Sequence, residues 1–77
     1  MADYAQFKKA MEEWGRPDRR ATLIIEQDGE AHARVTVVPA GKNAGAASQT
    51  VRIGFTQPNA LDDAQEQIRG IVDDISA

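Results

Sequence analysis

Cysteine is absent from this chain of 77 residues, histidine occurs once, and aromatic residues make up only 5%. Without cysteine, neither disulfides nor thiolate metal sites can support the fold. The common metal sites combine several His, Cys and carboxylate ligands, so His32 alone predicts no metal site and no cofactor. The longest aliphatic run is Leu23-Ile24-Ile25, far short of the ~20 residues that a membrane span requires. The N-terminal sequence also lacks the basic and apolar regions of a secretion signal, so we expect a cytoplasmic protein.

Basic charge is scarce in the second half of the chain. Residues 1–42 carry seven basic and seven acidic side chains, whereas residues 43–77 carry two basic and five acidic ones. Nucleic-acid binding normally rests on a basic face that displaces counterions from phosphates. The net charge of −3 therefore comes from a half that would repel a phosphate backbone, and we expect no direct nucleic-acid contact there.

Two segments have the apolar spacing of helices. Residues 3–14 are predicted helical with Asp3 as N-cap, and Gly15 and Pro17 end this helix. A second helix follows a turn at 56–59, with a capping box formed by Asn59 and Asp62. The predicted core face of the first helix is Tyr4, Phe7, Met11 and Trp14, and that of the second is Leu61, Ala64, Ile68, Ile71, Val72 and Ile75.

Between the helices, residues 21–38 predict a β-hairpin that turns at Asp28-Gly29. A two-residue turn would place Leu23 opposite Arg34, whereas a three-residue loop at 27–29 places Leu23 opposite Ala33. We choose the three-residue loop, with Gly29 at positive φ, because it makes one face wholly apolar. The opposite face then carries Thr22, Ile24, Glu26, His32, Arg34 and Thr36.

The remaining segments complete one small domain over residues 1–77. Residues 16–20 form a basic connector, residues 39–48 are predicted to be a mobile loop, and Gln49–Phe55 form a third strand. The predicted fold class is α+β in the order α-β-β-β-α. It consists of a three-stranded antiparallel meander with both helices packed on its apolar face.

No group of residues has the arrangement of a catalytic site. Nucleophilic catalysis needs a nucleophile beside a base, and His32 is predicted on the strand face away from the helices. The adjacent carboxylates Asp62-Asp63 and Asp73-Asp74 point about 100° apart on a helix, so neither pair forms a compact acid–base dyad. We expect a binding protein and not an enzyme.

The second helix carries an acidic face opposite its apolar stripe. A glycine in a helix interior costs about 1 kcal/mol relative to alanine, and here Gly70 opens a small notch between the carboxylates. We interpret this face as a docking surface for a basic protein partner, although an ordinary solvated face has the same composition. The candidate partner-binding residues are Asp62, Asp63, Glu66, Gly70, Asp73 and Asp74.

The element order resembles that of the double-stranded RNA-binding domain. That family binds phosphate through a Lys-Lys-x-Ala-Lys cluster at the start of its last helix. This chain has Asn59-Ala60-Leu61-Asp62-Asp63 at that place, of opposite charge. The resemblance therefore implies a shared architecture without the RNA site.

A second resemblance lies in the sequence of residues 33–46, Ala-Arg-Val-Thr-Val-Val-Pro-Ala-Gly-Lys-Asn-Ala-Gly-Ala. It is similar to a hairpin of a small, phage-encoded type I-F anti-CRISPR protein, through the frame Ala-Arg-Val-x-x-Val-x-x-Gly-Lys-x-x-Gly-Ala. Both chains also end in a helix with an acidic-Ile-Ser tail, here Asp74-Ile75-Ser76. The resemblance implies an inhibitor that binds Cas subunits of an RNA-guided surveillance complex and blocks access to target DNA. The family's interface tyrosines are replaced by Ile24 and Ile25, and a glutamate by Thr36, so the binding details differ.

We therefore expect a non-catalytic inhibitor that binds a type I CRISPR complex, with dimerisation left open. Two other functions are compatible with the sequence: a phage or bacterial structural or accessory module, and a nucleic-acid-binding domain that uses arginines. The alternative partner surface is the polar sheet face together with the basic connector. Its residues are Ile24, Arg34, Thr36, Arg16, Arg19 and Arg20, and the nucleic-acid alternative adds Arg52.

Overall fold

The computed structural model describes residues 3–77. Residues 1 and 2, which the predicted domain and the N-terminal sequence include, lie outside that range. The element order confirms the predicted α+β fold. The elements are α1 (Tyr4–Gly15), β1 (Ala21–Asp28), β2 (His32–Pro39), a 3₁₀ turn (Gly41–Asn43), β3 (Gln49–Gly54) and α2 (Ala60–Ser76). The strands form one antiparallel sheet in the order β1-β2-β3. Within the described residues, no helix is both long enough and apolar enough to cross a membrane.

The two helices begin differently. Asp3 caps α1 as predicted: its carboxylate accepts a hydrogen bond from the Gln6 amide at 2.8 Å, and the Gln6 side chain accepts one from the Asp3 amide at 3.3 Å. The predicted capping box at Asn59 is wrong, because the Asn59 side chain makes no capping hydrogen bond. Its φ of −105° and ψ of 19° depart from the extended conformation that directs an N-cap side chain toward the first turn.

The hairpin register differs from the predicted one, although the predicted faces are correct. Leu23 lies opposite Val37 instead of Ala33, and Ile25 lies opposite Val35. The loop is therefore residues 29–31, two positions later than predicted, and Gly29 has the expected positive φ, 84°. The shift of four residues is even, so the same side chains point inward. The observed register is favoured because it extends the ladder to eight pairs and sets valines against Leu23 and Ile25.

The predicted mobile loop at 39–48 begins with regular structure. Pro39 belongs to β2, and residues 41–43 form the 3₁₀ turn, closed by a hydrogen bond from the Ala44 amide to the Gly41 carbonyl at 3.3 Å. The Asn43 side chain also donates to the Ser76 hydroxyl at 3.3 Å, which connects this turn to the end of α2.

One continuous core lies between the inner face of the sheet and the two helices. Helix α1 packs on β1, and α2 packs on β2 and β3. Strand alternation and helix periodicity supply the core side chains together. Half of the predicted helix stripes are fully buried, and the other half are partly buried against this core: Tyr4, Trp14, Leu61, Ile71 and Ile75. The buried members are Phe7, Met11, Ala21, Ile25, Ala33, Val35, Val37, Ile53, Phe55, Ala64, Ile68 and Val72.

We expect Ile68→Ala to lower the free energy of unfolding by about 2–5 kcal/mol through lost burial and cavity formation. Ile68 is only 1% exposed. Ile24→Ala is the matched control, because Ile24 is 49% exposed and its truncation removes little buried area. Chemical denaturation measures both. Equal effects of the two substitutions would show that α2 is not packed on the sheet.

Gly29→Ala should destabilise the domain by roughly 1–2 kcal/mol, because an L-residue rarely adopts a positive φ. A Cβ at this position would meet no atom within 4 Å, so the cost is conformational and not steric. Gly45→Ala is the control, since Gly45 has equally open space and no positive φ. A neutral Gly29→Ala in thermal denaturation would contradict the strained turn.

Candidate binding surfaces

Helix α2 displays the acidic face that its sequence predicts. We define the acidic face as the six exposed residues that point away from the core: Asp62, Asp63, Glu66, Gly70, Asp73 and Asp74. Their spacing at 100° per residue places them within about a third of the helix circumference. Ala64, Ile68 and Val72 are buried on the other side of the same helix. The face is therefore held in place by packing of the opposite stripe on β2 and β3.

The notch at Gly70 is open. A Cβ built there would meet nothing within 4 Å, so no part of the described chain approaches closely enough to require glycine. Gly70 is exposed near the middle of the 17-residue helix, where glycine is unfavourable relative to alanine. The fold of this chain thus gives no reason for the residue.

Two members of the acidic face already have partners within the chain. The Asp73 carboxylate accepts a hydrogen bond from the Arg20 guanidinium at 3.0 Å. Asp63 accepts one from the Gln67 amide at 3.1 Å. Asp62, Glu66 and Asp74 make no ion pair within residues 3–77, so these three carboxylates are the best placed to meet an external cation.

Arg20 joins the connector to α2, which sequence spacing did not reveal. Besides Asp73, it binds both carboxylate oxygens of Asp18, at 3.0 and 2.9 Å, and its own amide donates to Asp18 at 2.9 Å. Hydrogen bonding from the Arg20 side chain and amide lowers the pKa of Asp18. Hydrogen bonds to Asp18, and to a smaller extent to Asp73, raise the pKa of Arg20. The local Asp-x-Arg spacing could have suggested the Asp18 contact, whereas Asp73 lies 53 positions away and gave no signal.

The outer face of the sheet brings together three of the predicted alternative residues. Ile24 lies directly opposite Thr36, and Arg34 lies one row away, opposite Glu26. The Thr36 hydroxyl also hydrogen-bonds the Thr50 hydroxyl across the strands at 2.9 Å. This face therefore combines an exposed isoleucine, a hydroxyl pair and a guanidinium.

The arginines do not form one basic surface. Arg20 is held by two carboxylates, and Arg52 donates to Asp28 at 2.9 Å, which lowers the pKa of that aspartate. Arg16 and Arg19 lie in the connector, whereas Arg34 lies on the outer face of the sheet. Phosphate recognition depends on cations that are clustered and free, so this arrangement weakens the nucleic-acid alternative.

Neither a metal-binding cluster nor a buried unpaired polar side chain occurs in the described part of the chain. His32 lies opposite Gly54 in β3 and Asp28 in β1, on the outer sheet face as predicted. No nucleophile–base pair is hydrogen-bonded around it among residues 3–77.

The depressed pKa values of Asp18 and Asp28 predict a loss of stability in acid. A carboxyl group with a lower pKa in the folded state stabilises the fold above its unfolded pKa, near 4, and this contribution is lost as pH falls through the folded pKa. We expect the melting temperature to fall between about pH 4 and pH 2, and Asp18→Asn and Asp28→Asn to reduce that fall. Asp3→Asn, which removes a carboxylate from the α1 N-cap and not from an arginine pair, is the comparison variant. If the variant that carries both Asp18→Asn and Asp28→Asn has the same dependence of melting temperature on pH as the wild-type protein, these two aspartate–arginine pairs do not cause the loss of stability in acid.

Comparison with known proteins finds no match for this chain among family models, curated proteins or solved structures.

Proposed function

We propose that the protein is a non-catalytic inhibitor that docks through the acidic face of α2 on a basic protein surface. Gly70 is the observation that carries this proposal. It is a destabilising residue at the centre of an exposed charged face, and its open surroundings leave no intramolecular reason for it. Close approach of a partner backbone or side chain supplies such a reason.

The resemblance of residues 33–46 to a type I-F anti-CRISPR hairpin favours an RNA-guided surveillance complex as the partner. Such complexes hold nucleic acid in positively charged channels, where phosphates are the natural ligands. A rigid row of carboxylates competes for the same cations by charge complementarity. Binding of this kind blocks target DNA without any chemical step.

The outer sheet face is the competing docking surface. Ile24 is 49% exposed and lies beside Thr36, with Arg34 in the next row. An exposed aliphatic side chain on a polar face is a common anchor for a protein partner. Binding there serves an inhibitor or an accessory module equally well, so substitutions must separate the two surfaces.

We expect the triple variant Asp62→Lys, Glu66→Lys and Asp74→Lys to lose binding to a purified type I-F surveillance complex and to restore its capture of target DNA. The three positions are exposed and free of ion pairs within residues 3–77. We leave Asp73 unchanged because its reversal would also break the Arg20 pair. The association rate of the unchanged protein should fall with added salt, as electrostatic steering requires.

The control triple is Glu12→Lys, Glu13→Lys and Glu30→Lys, which alters net charge equally at exposed positions outside α2. It should bind and inhibit like the unchanged protein. If the acidic-face triple variant still inhibits the complex while Ile24→Asp or Arg34→Glu does not, the docking surface is the outer face of the sheet. The proposed function is rejected if the wild-type protein neither binds the complex nor prevents it from capturing target DNA.

Gly70→Gln separates stability from binding. Glutamine is a good helix former, so we expect the helix to gain up to about 1 kcal/mol of stability. The same side chain fills the notch and should slow docking or weaken it. A variant that is more stable and binds equally well would show that the notch is not used.

A further inference from the structure

No other strand of the described chain pairs with the outer edge of β1. Strand β1 is the first strand in the order β1-β2-β3, so only β2 pairs with it. The Arg20 carbonyl accepts a hydrogen bond from the Ala40 amide at 2.9 Å, across the β1–β2 ladder. Residues of an antiparallel strand alternate between facing their neighbour and facing away, so the odd-numbered residues of β1 direct their backbone groups outward. The Tyr4 hydroxyl donates to the Ile25 carbonyl on this side, at 3.2 Å.

The side chain at the centre of this edge strand is also exposed. Ile24 is the large hydrophobic residue that the described chain leaves most exposed, at 49%. A long edge strand with an exposed aliphatic centre is a template for a further strand. On the outer face of β1 the side-chain neighbours of Ile24 are Thr22 and Glu26, whereas Leu23 and Ile25 point to the core side.

The sequence of this edge is complementary to itself. An antiparallel copy related by a two-fold axis at Ile24 sets Leu23 opposite the partner's Ile25 and Ala21 opposite the partner's Gln27. These pairs are all odd-numbered, so the outward backbone groups of each copy face those of the other. The two Ile24 side chains meet in a non-hydrogen-bonded pair, where side chains lie closest.

At the ends of the same register Arg20 lies opposite the partner's Asp28. These groups have opposite charge, but within one copy Asp18 and Asp73 hold the Arg20 guanidinium and Arg52 holds the Asp28 carboxylate. Arg20 uses three of its five N–H donors on Asp18 and Asp73. Asp28 accepts from Arg52 through Oδ2 only. Both groups therefore retain hydrogen-bonding capacity. The Ile25 carbonyl likewise has a second lone pair beside the one that Tyr4 uses.

We propose that a second copy of this chain pairs with β1 in this register, forming a symmetric dimer with a continuous six-stranded sheet. Other antiparallel registers that keep odd residues opposite one another do not bring the two Ile24 side chains together. The interface is isologous and closes after two copies, since each copy contributes the same edge.

Sedimentation equilibrium of the full chain up to millimolar concentration tests the dimer. Ile24→Lys places two like charges on the two-fold axis and removes the apolar contact, so we expect dimer dissociation to increase at least roughly a hundredfold. Thr50→Lys is the matched control: it adds the same charge to the same row of the outer face, but on β3. The proposal is overturned if the wild-type protein is monomeric, or if the Ile24→Lys variant still forms the dimer.

Charge exchange tests the register. Arg20→Glu alone and Asp28→Arg alone each set like charges opposite one another, and each should weaken its own dimer roughly tenfold or more. In a mixture of the two variants every such pair is complementary, so heterodimers should form at concentrations where each variant alone is monomeric. Folding of each variant is checked by circular dichroism. Failure of the mixture to associate while both variants remain folded would reject this register, whatever the outcome for Ile24.

Discussion

Side-chain alternation in the central strand β2 constrains the rest of the molecule. Ala33, Val35 and Val37 are fully buried, and the residues between them point to the other side of the sheet. With one apolar face and one polar face, the sheet must receive both helices on the same side. The acidic face of α2 and the outer face of the sheet therefore point in opposite directions, and each is supported by the same core.

The same alternation explains which features were predictable from sequence. Helix and strand identities follow from apolar periodicity over many residues, and the inward-facing set survives any even shift of register. The register itself depends on which apolar pairs meet, and sequence reasoning placed Ala33 opposite Leu23 where the fold places Val37. Gly29 was correctly assigned a positive φ because that requirement is local.

Features that depend on tertiary approach could not be predicted. The Arg20–Asp73 pair joins residues that lie 53 positions apart. The placement of the Arg69 guanidinium 5.7 Å from the centre of the Trp14 ring likewise depends on how α1 and α2 meet. The exposed positions of the acidic face followed directly from helix periodicity. The Arg20–Asp73 ion pair could not be derived from that periodicity. Because of this pair, the carboxylates that remain available to a partner are mainly Asp62, Glu66 and Asp74.

The proposed dimer and the proposed docking surface meet at Arg20, which binds Asp73 of the acidic face and lies opposite the partner's Asp28 in the dimer. Helix α2 packs on β2 and β3, whereas the dimer edge belongs to β1, so pairing two copies leaves both acidic faces uncovered. A two-fold axis through β1 places these faces on the same side of one continuous sheet, because each α2 covers the inner face of its own copy. Two linked docking surfaces bind a repeated partner more tightly than one when the geometry permits simultaneous contact. Dimerisation would thus strengthen an inhibitor whose single helix offers only a short row of exposed carboxylates, without adding a new contact to either face.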